Sequence, residues 1–457
     1  MNLPNYFIAD LPADYAVRPD MVREACQTLK RNRERYLLPR STESVVSVIV
    51  ELARLWQSPH SPWRTLALEQ GPPALGLSRE MLAWGLDGFF RQLTARNLNA
   101  LLVQDLGHPQ RLDRLVANDA EMLVSLTTRA LGPELLVHIA AGILPTPVIL
   151  SMLHGLLLRS AQVVKCAAGA SLIPRLFAHS LHDLEPKMAS CLELVAWKGG
   201  SAELETVLFE EANAIVAAGS DETIETLRRT VPRQVRFLAH GHRVSAAYVS
   251  RESLMPANEP GTVEDAAVDV AAWDQLGCLS PHVIYVETGG MLPPEAFAAR
   301  LSEALETLEK RWPRGPVGMD VATAIFQRRE LYRLRAAADG TTRCWFSTDS
   351  TAWSVVYEAD PTFQTSCLHR FVMVKPVDTL EECLRHAEMI RGRWSTVGLA
   401  GSGVRTSELA AQFAAWGIHR ICPLGRMQLP PLTWRHDGRP VIGDLITWAA
   451  HEMPLDS

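Results

Sequence analysis

The sequence has no CxxC pair and no cysteine–histidine spacing of the zinc-binding kind, so we predict no metal site. Its formal net charge is only -6, and this mild acidity argues against a nucleic-acid-binding protein, which would carry a basic face. We see no signal peptide in residues 1–15 and expect a cytoplasmic protein with reduced thiols. Most of the 8 cysteines should be small core residues.

The stretch 135–158 also contains no Asp, Glu, Lys or Arg, and it is long enough to cross a membrane as a helix. Pro145, Pro147 and Gly142 interrupt this stretch, and His138 and His154 add polarity. A buried strand, a turn and a buried helix explain it better. We therefore predict a soluble globular protein without a membrane span.

The length of 457 residues allows two or three domains. Helical periodicity dominates up to about residue 130. Short apolar strands then alternate with helices, and a second region of this kind follows Gly241. This alternation predicts parallel sheets covered by helices, hence an α/β fold. The last element is predicted to be a helix at residues 442–451.

Cys278 stands out among the cysteines by its local sequence. It follows Gly277 and precedes Ser280 and Pro281, after which an apolar strand begins. Gly277 allows a turn and a close approach of substrate, and Pro281 restarts the chain as an extended segment. A thiol on such a turn can reach a carbonyl carbon, so Cys278 is a candidate nucleophile. The alternative is one more buried, inert cysteine.

Three other residues are candidates for contacting a phosphate-bearing ligand. Gly219 and Ser220 lie between a strand and a helix, where backbone N–H groups at the positive helix end suit a pyrophosphate. The alternative is an ordinary turn with Ser220 as N-cap. Lys165 ends a strand before small residues and could bind a ribose hydroxyl or a phosphate, or be a solvated strand end.

Several polar residues have two explanations. His240 and His242 suggest acid–base chemistry, although a turn with two exposed histidines explains them as well. Glu358 is a candidate for the cofactor site, with a simple loop residue as the alternative. Residues 435–439 are predicted to form a hairpin turn around Asp437 and Gly438.

Taken in order, these features resemble the aldehyde dehydrogenase superfamily and, more closely, the acyl-CoA reductases of the LuxC family. The matching stretches are residues 138–142, 159–165, 219–224, 241–245, 273–281, 391–397, 417–425, 434–439 and 445–448. The resemblance implies two Rossmann-like parallel-sheet domains behind an N-terminal helical region at 1–130. The cofactor domain would span 131–245 with 430–457 returning to it, and the catalytic cysteine domain 246–429.

The resemblance also implies residue roles. Cys278 would be the acyl-accepting nucleophile, and Lys165, Gly219 and Ser220 would line the ribose and phosphates of the cofactor. In NAD-preferring aldehyde dehydrogenases an acid three residues after this lysine commonly holds the ribose 2′-hydroxyl. That position is Ala168 here, which leaves room for a 2′-phosphate, so NADPH is the expected cofactor.

Two departures from the superfamily pattern bear on function. Residues 241–245 contain no carboxylate where thioester-hydrolysing dehydrogenases keep a general-base glutamate, which favours acyl reduction over aldehyde oxidation. Ile143 stands where the family usually has an asparagine whose amide helps to hold the oxyanion. Removing one such donor costs about 2.7–4 kcal/mol in known cases. The backbone N–H of Cys278 or a neighbouring polar group would have to replace this missing donor. Without such a replacement, we expect acyl reduction to be slow or absent.

We therefore expect NADPH-dependent reduction of a fatty acyl-CoA or carrier-bound acyl thioester to the aldehyde, through an acyl-enzyme on Cys278. One alternative is a semialdehyde or acyl-phosphate reductase on the same fold, which would release no thiol. Another is an impaired scaffold subunit that binds an acyl-transferase or synthetase partner. A homo-oligomer is expected from the superfamily.

Overall fold

The computed structural model describes residues 3–12 and 14–453. The contacts divide the chain into two compact units. Unit 1 comprises Met1–Leu75, Leu86–Gly241 and Pro431–Ser457, and unit 2 comprises Gly76–Gly85 and His242–Pro430. Within the described residues, none of the helices is both long enough and apolar enough to span a bilayer.

The first part of the chain is helical, as its periodicity predicted. Its elements are α1 (Pro19–Asn32), α2 (Thr42–Gln57), α3 (Pro62–Leu75), α4 (Arg79–Phe90), α5 (Ala95–Leu106), α6 (Asp119–Met122) and the strand β1 (Leu126–Leu131). Val22, Cys26 and Leu29 recur at helical spacing on α1 and are buried in the core that includes the sheet of unit 1. The N-terminal helices therefore begin unit 1 and do not form a unit of their own.

The sheet of unit 1 contains five parallel strands in the order β4-β3-β2-β5-β6. The elements are β2 (Leu135–Ile139), α7 (Pro145–Leu157), β3 (Ala161–Lys165), α8 (Leu172–Leu184), α9 (Pro186–Ala189), β4 (Leu192–Val195), α10 (Ala202–Glu211), β5 (Ala214–Ala218), α11 (Asp221–Thr230) and β6 (Arg236–His240). β2 and β3 are buried at every residue, which explains their continuous apolar sequence. The strand order reverses between β2 and β5. Sheets of this kind bind ligands beyond the carboxyl ends of the strands at such a point.

Unit 2 contains a seven-stranded sheet in the order β13-β12-β7-β8-β11-β10-β9, in which β9 alone runs antiparallel. Its elements are β7 (Val244–Val249), α12 (Glu259–Ala271), β8 (Pro281–Glu287), α13 (Pro294–Arg311), α14 (Met319–Ala338), β9 (Thr342–Phe346), β10 (Ser354–Glu358), β11 (Phe371–Val377), α15 (Leu380–His386), β12 (Trp394–Ala400), α16 (Gly403–Trp416) and β13 (Arg420–Pro423). This sheet has its own buried core. The predicted α/β alternation thus holds in both units.

The end of the chain differs from the prediction. The helix predicted at residues 442–451 is wrong, because the chain forms β14 (Thr447–Glu452), which pairs antiparallel with β1. Leu131 lies opposite Thr447, and Leu126 lies opposite Glu452. The local sequence favours a helix weakly, and six residues make fewer than two turns. Pairing with β1 satisfies the backbone groups and outweighs this propensity.

Candidate active site

Cys278 lies on a short turn just before β8, at the amino edge of the sheet of unit 2. The Ser280 N–H donates to the Gly277 carbonyl at 2.9 Å and closes the turn. The Ser245 hydroxyl donates to the Cys278 carbonyl at 2.8 Å. The backbone that carries the thiol is therefore fixed from both sides.

Cys278 is the exposed member of the eight cysteines, all of which the structure describes. Five others are buried, as the composition predicted, and two are half-buried. Burial raises the pKa of four of these thiols to about 12, so that they stay protonated: Cys26, Cys166, Cys191 and Cys422. A reactive thiol needs access and a thiolate form, and the buried cysteines have neither.

The residues just before this turn have an unusual backbone. Trp273, Asp274 and Gln275 have φ of 54°, 52° and 63°, the left-handed region that non-glycine residues seldom adopt. Such conformations cost about 1–3 kcal/mol each and persist only where the surroundings hold them. The sequence contains no glycine or asparagine here, so nothing in it predicted this run.

Side-chain packing and hydrogen bonds hold the first and last residues of the run. The Trp273 indole packs on Gly85, where an added Cβ would lie 2.0 Å from a ring atom, and the Trp273 N–H donates to the Met81 sulfur at 3.1 Å. Gln275 accepts from the Phe371 N–H at 2.8 Å and donates to the Phe371 carbonyl at 2.9 Å. These contacts fix Trp273 and Gln275 without help from their own conformational preferences.

Asp274 is held by a buried ion pair. Its Oδ1 accepts from Nε and Nη2 of Arg370 at 2.9 and 2.6 Å, and its Oδ2 accepts from the Gly315 N–H at 3.0 Å. Arg370 also donates to the Glu309 carboxylate and to the Trp312 carbonyl, at 2.7 and 2.8 Å. The Arg370 and Asp274 side chains are only 1% and 2% exposed. This pair therefore anchors the chain four residues before the nucleophile candidate.

A loop at residues 424–428, the anchor loop, lies against the Cys278 turn. Gln428 donates from Nε2 to the Ser280 hydroxyl at 2.6 Å, and its amide packs directly on Gly277. A Cβ added to Gly277 would lie 2.8 Å from Oε1 of Gln428, so a side chain there would displace this amide. Gly277 is thus required for this close approach.

Arg420 supplies a positive charge near the thiol. It is 6% exposed and donates to the carbonyls of Met427 and Arg426 at 2.6 and 2.9 Å. Burial lowers the pKa of Arg420, while the charge of Cys278 is among those that raise it, so the two groups interact electrostatically. A neighbouring cation stabilises a thiolate. Sequence reasoning missed Arg420, because a basic residue beginning a strand carries no signal of its own.

The two histidines His240 and His242 belong to different units, because the boundary between unit 1 and unit 2 lies between Gly241 and His242. On the unit 2 side, burial and, to a smaller extent, the charge of His242 together lower the pKa of His282 to about 4. His282 is therefore neutral at physiological pH. Its Nδ1 accepts from the Ser366 N–H at 3.1 Å.

His240 belongs to a cluster that the sequence did not predict. Its Nδ1 lies 2.8 Å from Oδ2 of Asp437, and its ring stacks on His436 with centroids 4.2 Å apart and planes 5° apart. The ligand atoms of these three residues lie within 4.8 Å of one another, which makes them candidate metal ligands. Nitrogen lone pairs lie in the ring planes, however, and two parallel planes do not converge on one ion. The geometry favours a hydrogen-bonded stack over a metal site.

Gly219 and Ser220 lie at the point of unit 1 where the strand order reverses, between β5 and the 10-residue helix α11. The Ser220 hydroxyl caps this helix by accepting from the Thr223 N–H at 3.2 Å, and the Gly219 N–H donates to the His240 carbonyl at 3.1 Å. Lys165 ends β3, is 8% exposed and lies 3.9 Å from the Glu205 carboxylate. Ala168 follows it on an exposed loop. All four predicted residues thus lie at the carboxyl edge of one sheet.

Glu358 and Cys278 lie at opposite edges of the unit 2 sheet. It is the last residue of β10, at the carboxyl edge of the unit 2 sheet, whereas Cys278 precedes β8 at the amino edge. The register places Glu358 level with Tyr285, about 13 Å along the strand from the start of β8. Its side chain is 8% exposed, and its carboxylate pairs with Arg335 and Lys375 at 2.7 and 2.8 Å. The loop interpretation is therefore wrong, because Glu358 ends a strand and belongs to a buried ion-pair network, while its cofactor role stays a prediction.

Comparison with known proteins places the chain among acyl-thioester reductases. The family model described as acyl-CoA reductase (LuxC) matches residues 37–448. A long-chain acyl-protein thioester reductase of Photorhabdus luminescens is 22% identical over 90% of this chain and 82% of its own length. The corresponding protein of Aliivibrio fischeri is 21% identical over the same shares.

A solved structure extends the likeness to the fold. An NAD-dependent benzaldehyde dehydrogenase from Corynebacterium glutamicum matches 96% of this chain and 91% of its own, with a TM-score of 0.68 and 14% identity. The predicted aldehyde dehydrogenase-like α/β fold is therefore confirmed. At this identity the likeness concerns the fold alone.

Proposed function

Since the chain belongs to the acyl-CoA reductase (LuxC) family, an oxidoreductase family acting on acyl thioesters, we propose that it reduces a long-chain acyl thioester to the aldehyde with NADPH. Cys278 is the nucleophile in this proposal. One observation carries it: the exposed thiol lies on a hydrogen-bonded turn and its charge interacts with that of the buried Arg420, whereas the other cysteines are buried or half-buried. The relatives named above suggest a protein-bound acyl group as the natural substrate.

The reaction begins with attack of the Cys278 thiolate on the thioester carbon, which forms a C–S bond to the enzyme and expels the carrier thiolate, to be protonated by solvent. NADPH, when bound, supplies the hydride that reduces the acyl-enzyme. The resulting thiohemiacetal alkoxide on Cys278 then collapses, the C–S bond breaks, and the aldehyde leaves the regenerated thiolate. Arg420 would favour the thiolate at the first and last of these stages.

The residues of unit 1 fit the proposed cofactor. Gly219 and Ser220 precede the positive end of α11 at the strand-order reversal, where a pyrophosphate is expected to bind. Lys165 lies on the same edge. The exposed Ala168 offers no carboxylate to repel a 2′-phosphate.

Reduction is favoured over hydrolysis by the segment that precedes β7. Hydrolysis of the acyl-enzyme needs a base that activates water. Residues 241–245 contain no carboxylate, and the Ser245 hydroxyl is already bonded to the Cys278 carbonyl. The acyl-enzyme would therefore persist until hydride transfer.

The test is a stoichiometry measurement with a panel of acyl-CoAs, an acylated carrier protein, an acyl phosphate and NADPH. We expect NADPH oxidation, thiol release and aldehyde formation in a 1:1:1 ratio with long-chain thioesters. Turnover of the acyl phosphate alone would assign the chain to the alternative reductase class. Absence of turnover with every donor would favour a scaffold subunit.

Ala168→Asp tests the cofactor preference. The new carboxylate would repel the 2′-phosphate of NADPH, and two charges at about 4 Å interact by at least about 1 kcal/mol, so KM for NADPH should rise at least about fivefold. KM for NADH should not rise, because the carboxylate can accept from its 2′-hydroxyl. Steady-state kinetics with both cofactors measure this. Ala411→Asp, an exposed change on α16, is the matched control, and equal effects on both cofactors would contradict the prediction.

A further inference from the structure

Attack of Cys278 on a thioester turns the carbonyl oxygen into an oxyanion, which requires hydrogen-bond donors. Ile143, at the family's usual asparagine position, has no donor in its side chain. We propose that the side-chain amide of Gln428 donates a hydrogen bond to this oxyanion. This inference rests on the proposed function and adds a second catalytic residue to it.

The distance argument begins at Gly277, the residue before the nucleophile. Nε2 of Gln428 lies 3.1 Å from the position of an added Gly277 Cβ. Allowing for the Cα–Cβ bond and for the peptide link to the next residue, Nε2 lies within roughly 7 Å of the Cys278 nitrogen. The oxygen of a substrate bonded to Sγ must lie near this same backbone. Nε2 thus lies beside the backbone of the nucleophile turn, the region in which that oxygen would have to be stabilised.

Gln428 also has a hydrogen atom to donate. A primary amide carries two N–H hydrogens, and Nε2 uses one of them for its 2.6 Å bond to the Ser280 hydroxyl. That bond holds Nε2 beside the Ser280 hydroxyl and leaves the second N–H to donate elsewhere. Gln428 is 9% exposed, and a hydrogen bond formed at such depth is weakly screened.

The anchor loop is held in place before any substrate binds. Asp269 is 1% exposed and accepts from the N–H groups of Gly425 and Met427 at 2.6 and 2.9 Å. Arg420 donates to the carbonyls of Arg426 and Met427, the two residues before Gln428. One buried carboxyl group, whose pKa burial raises to about 7, and one buried cation thus fix the backbone that carries the amide. Donors fixed in advance need no reorganisation during the reaction, which is the condition for strong oxyanion stabilisation.

The test compares two electrophiles on the same thiol in Gln428→Leu. Acylation by a long-chain acyl-CoA passes through an oxyanion, whereas alkylation by iodoacetamide displaces iodide and forms none. We expect the single-turnover acylation rate to fall about 10²–10³-fold and the alkylation rate to change less than twofold. Gln428→Glu, which keeps the shape and loses the N–H donors, should slow acylation at least as much. Ser280→Ala, which keeps the amide, should slow it less than tenfold.

Two results would overturn the inference. Unchanged acylation in both Gln428 variants would show that the amide does not contact the oxyanion. A parallel loss of acylation and alkylation would show that Gln428 only positions the turn. Wild-type acylation is measured first, because its absence with every acyl donor would instead overturn the proposed function on which this inference rests.

Discussion

Cys278→Ala is expected to abolish both the acyl adduct and the NADPH-dependent reduction of acyl thioesters. No other cysteine can replace it, since the remaining thiols are buried or half-buried and no exposed thiol is left among the described residues. Intact mass after incubation with acyl-CoAs, without NADPH, measures the adduct directly. Wild type should gain the mass of one acyl group, and the donors that react fastest name the preferred chain length.

Cys344→Ala is the matched control for this experiment. Cys344 is a half-buried cysteine of the same unit, on β9, and burial raises its pKa. Its removal should leave the adduct and the turnover unchanged. An adduct that survives in Cys278→Ala and disappears in Cys344→Ala would transfer the nucleophile assignment to Cys344.

Asp274→Ala is expected to destabilise unit 2 and to disable the nucleophile turn. The Arg370 side chain is only 1% exposed, and the substitution removes one of the two carboxylates that pair with it. The Gly315 N–H also loses its acceptor. Removing one partner of a buried pair costs about 3–5 kcal/mol in the free energy of unfolding. Denaturant titration measures this loss. Single-turnover acylation should fall as well, because displacing a nucleophile by about 1 Å can cost 10²-fold in rate.

Two further variants make the Asp274 prediction specific. Glu295→Ala breaks an exposed pair of the same unit, Glu295 with Arg343 at 3.2 Å, and should cost about 0–1 kcal/mol. The double variant Asp274→Leu with Arg370→Met removes both buried charges and should recover most of the stability lost in Asp274→Ala. It should not recover acylation, since the Gly315 contact is still missing. Equal losses in Asp274→Ala and Glu295→Ala would refute the anchoring role of the pair.

Sequence reasoning succeeded where the determining interactions are local. The apolar runs of β2 and β3, the Gly219–Ser220 turn and the Cys278 turn are each specified by a few adjacent residues. The exposure of Cys278 follows in the same way from Gly277 and Pro281. These signals were enough to predict the α/β fold and to single out the turns at Gly219–Ser220 and at Cys278.

It failed where residues far apart in the chain decide the outcome. β14 forms because β1, more than 300 residues earlier, offers a pairing edge. Glu358 lies in a buried ion-pair network because Lys375 on β11 and Arg335 on α14 pack against it. The left-handed run at Trp273–Gln275 depends on Met81, Phe371 and Arg370. No pattern within a short window of sequence contains these partners.

The packing of Trp273 on Gly85 has a consequence for how this unit is assembled. Residues 76–85 are synthesised long before residues 242–430, yet both segments belong to the same unit. Gly85 packs against the indole of Trp273, the first residue of the left-handed run. A fragment of residues 242–430 would therefore contain the nucleophile but lack the contacts that shape its approach. Contacts of such long sequence separation form slowly, because the intervening chain must first close into a loop. The nucleophile turn is thus expected to be among the last parts of the protein to become ordered during folding.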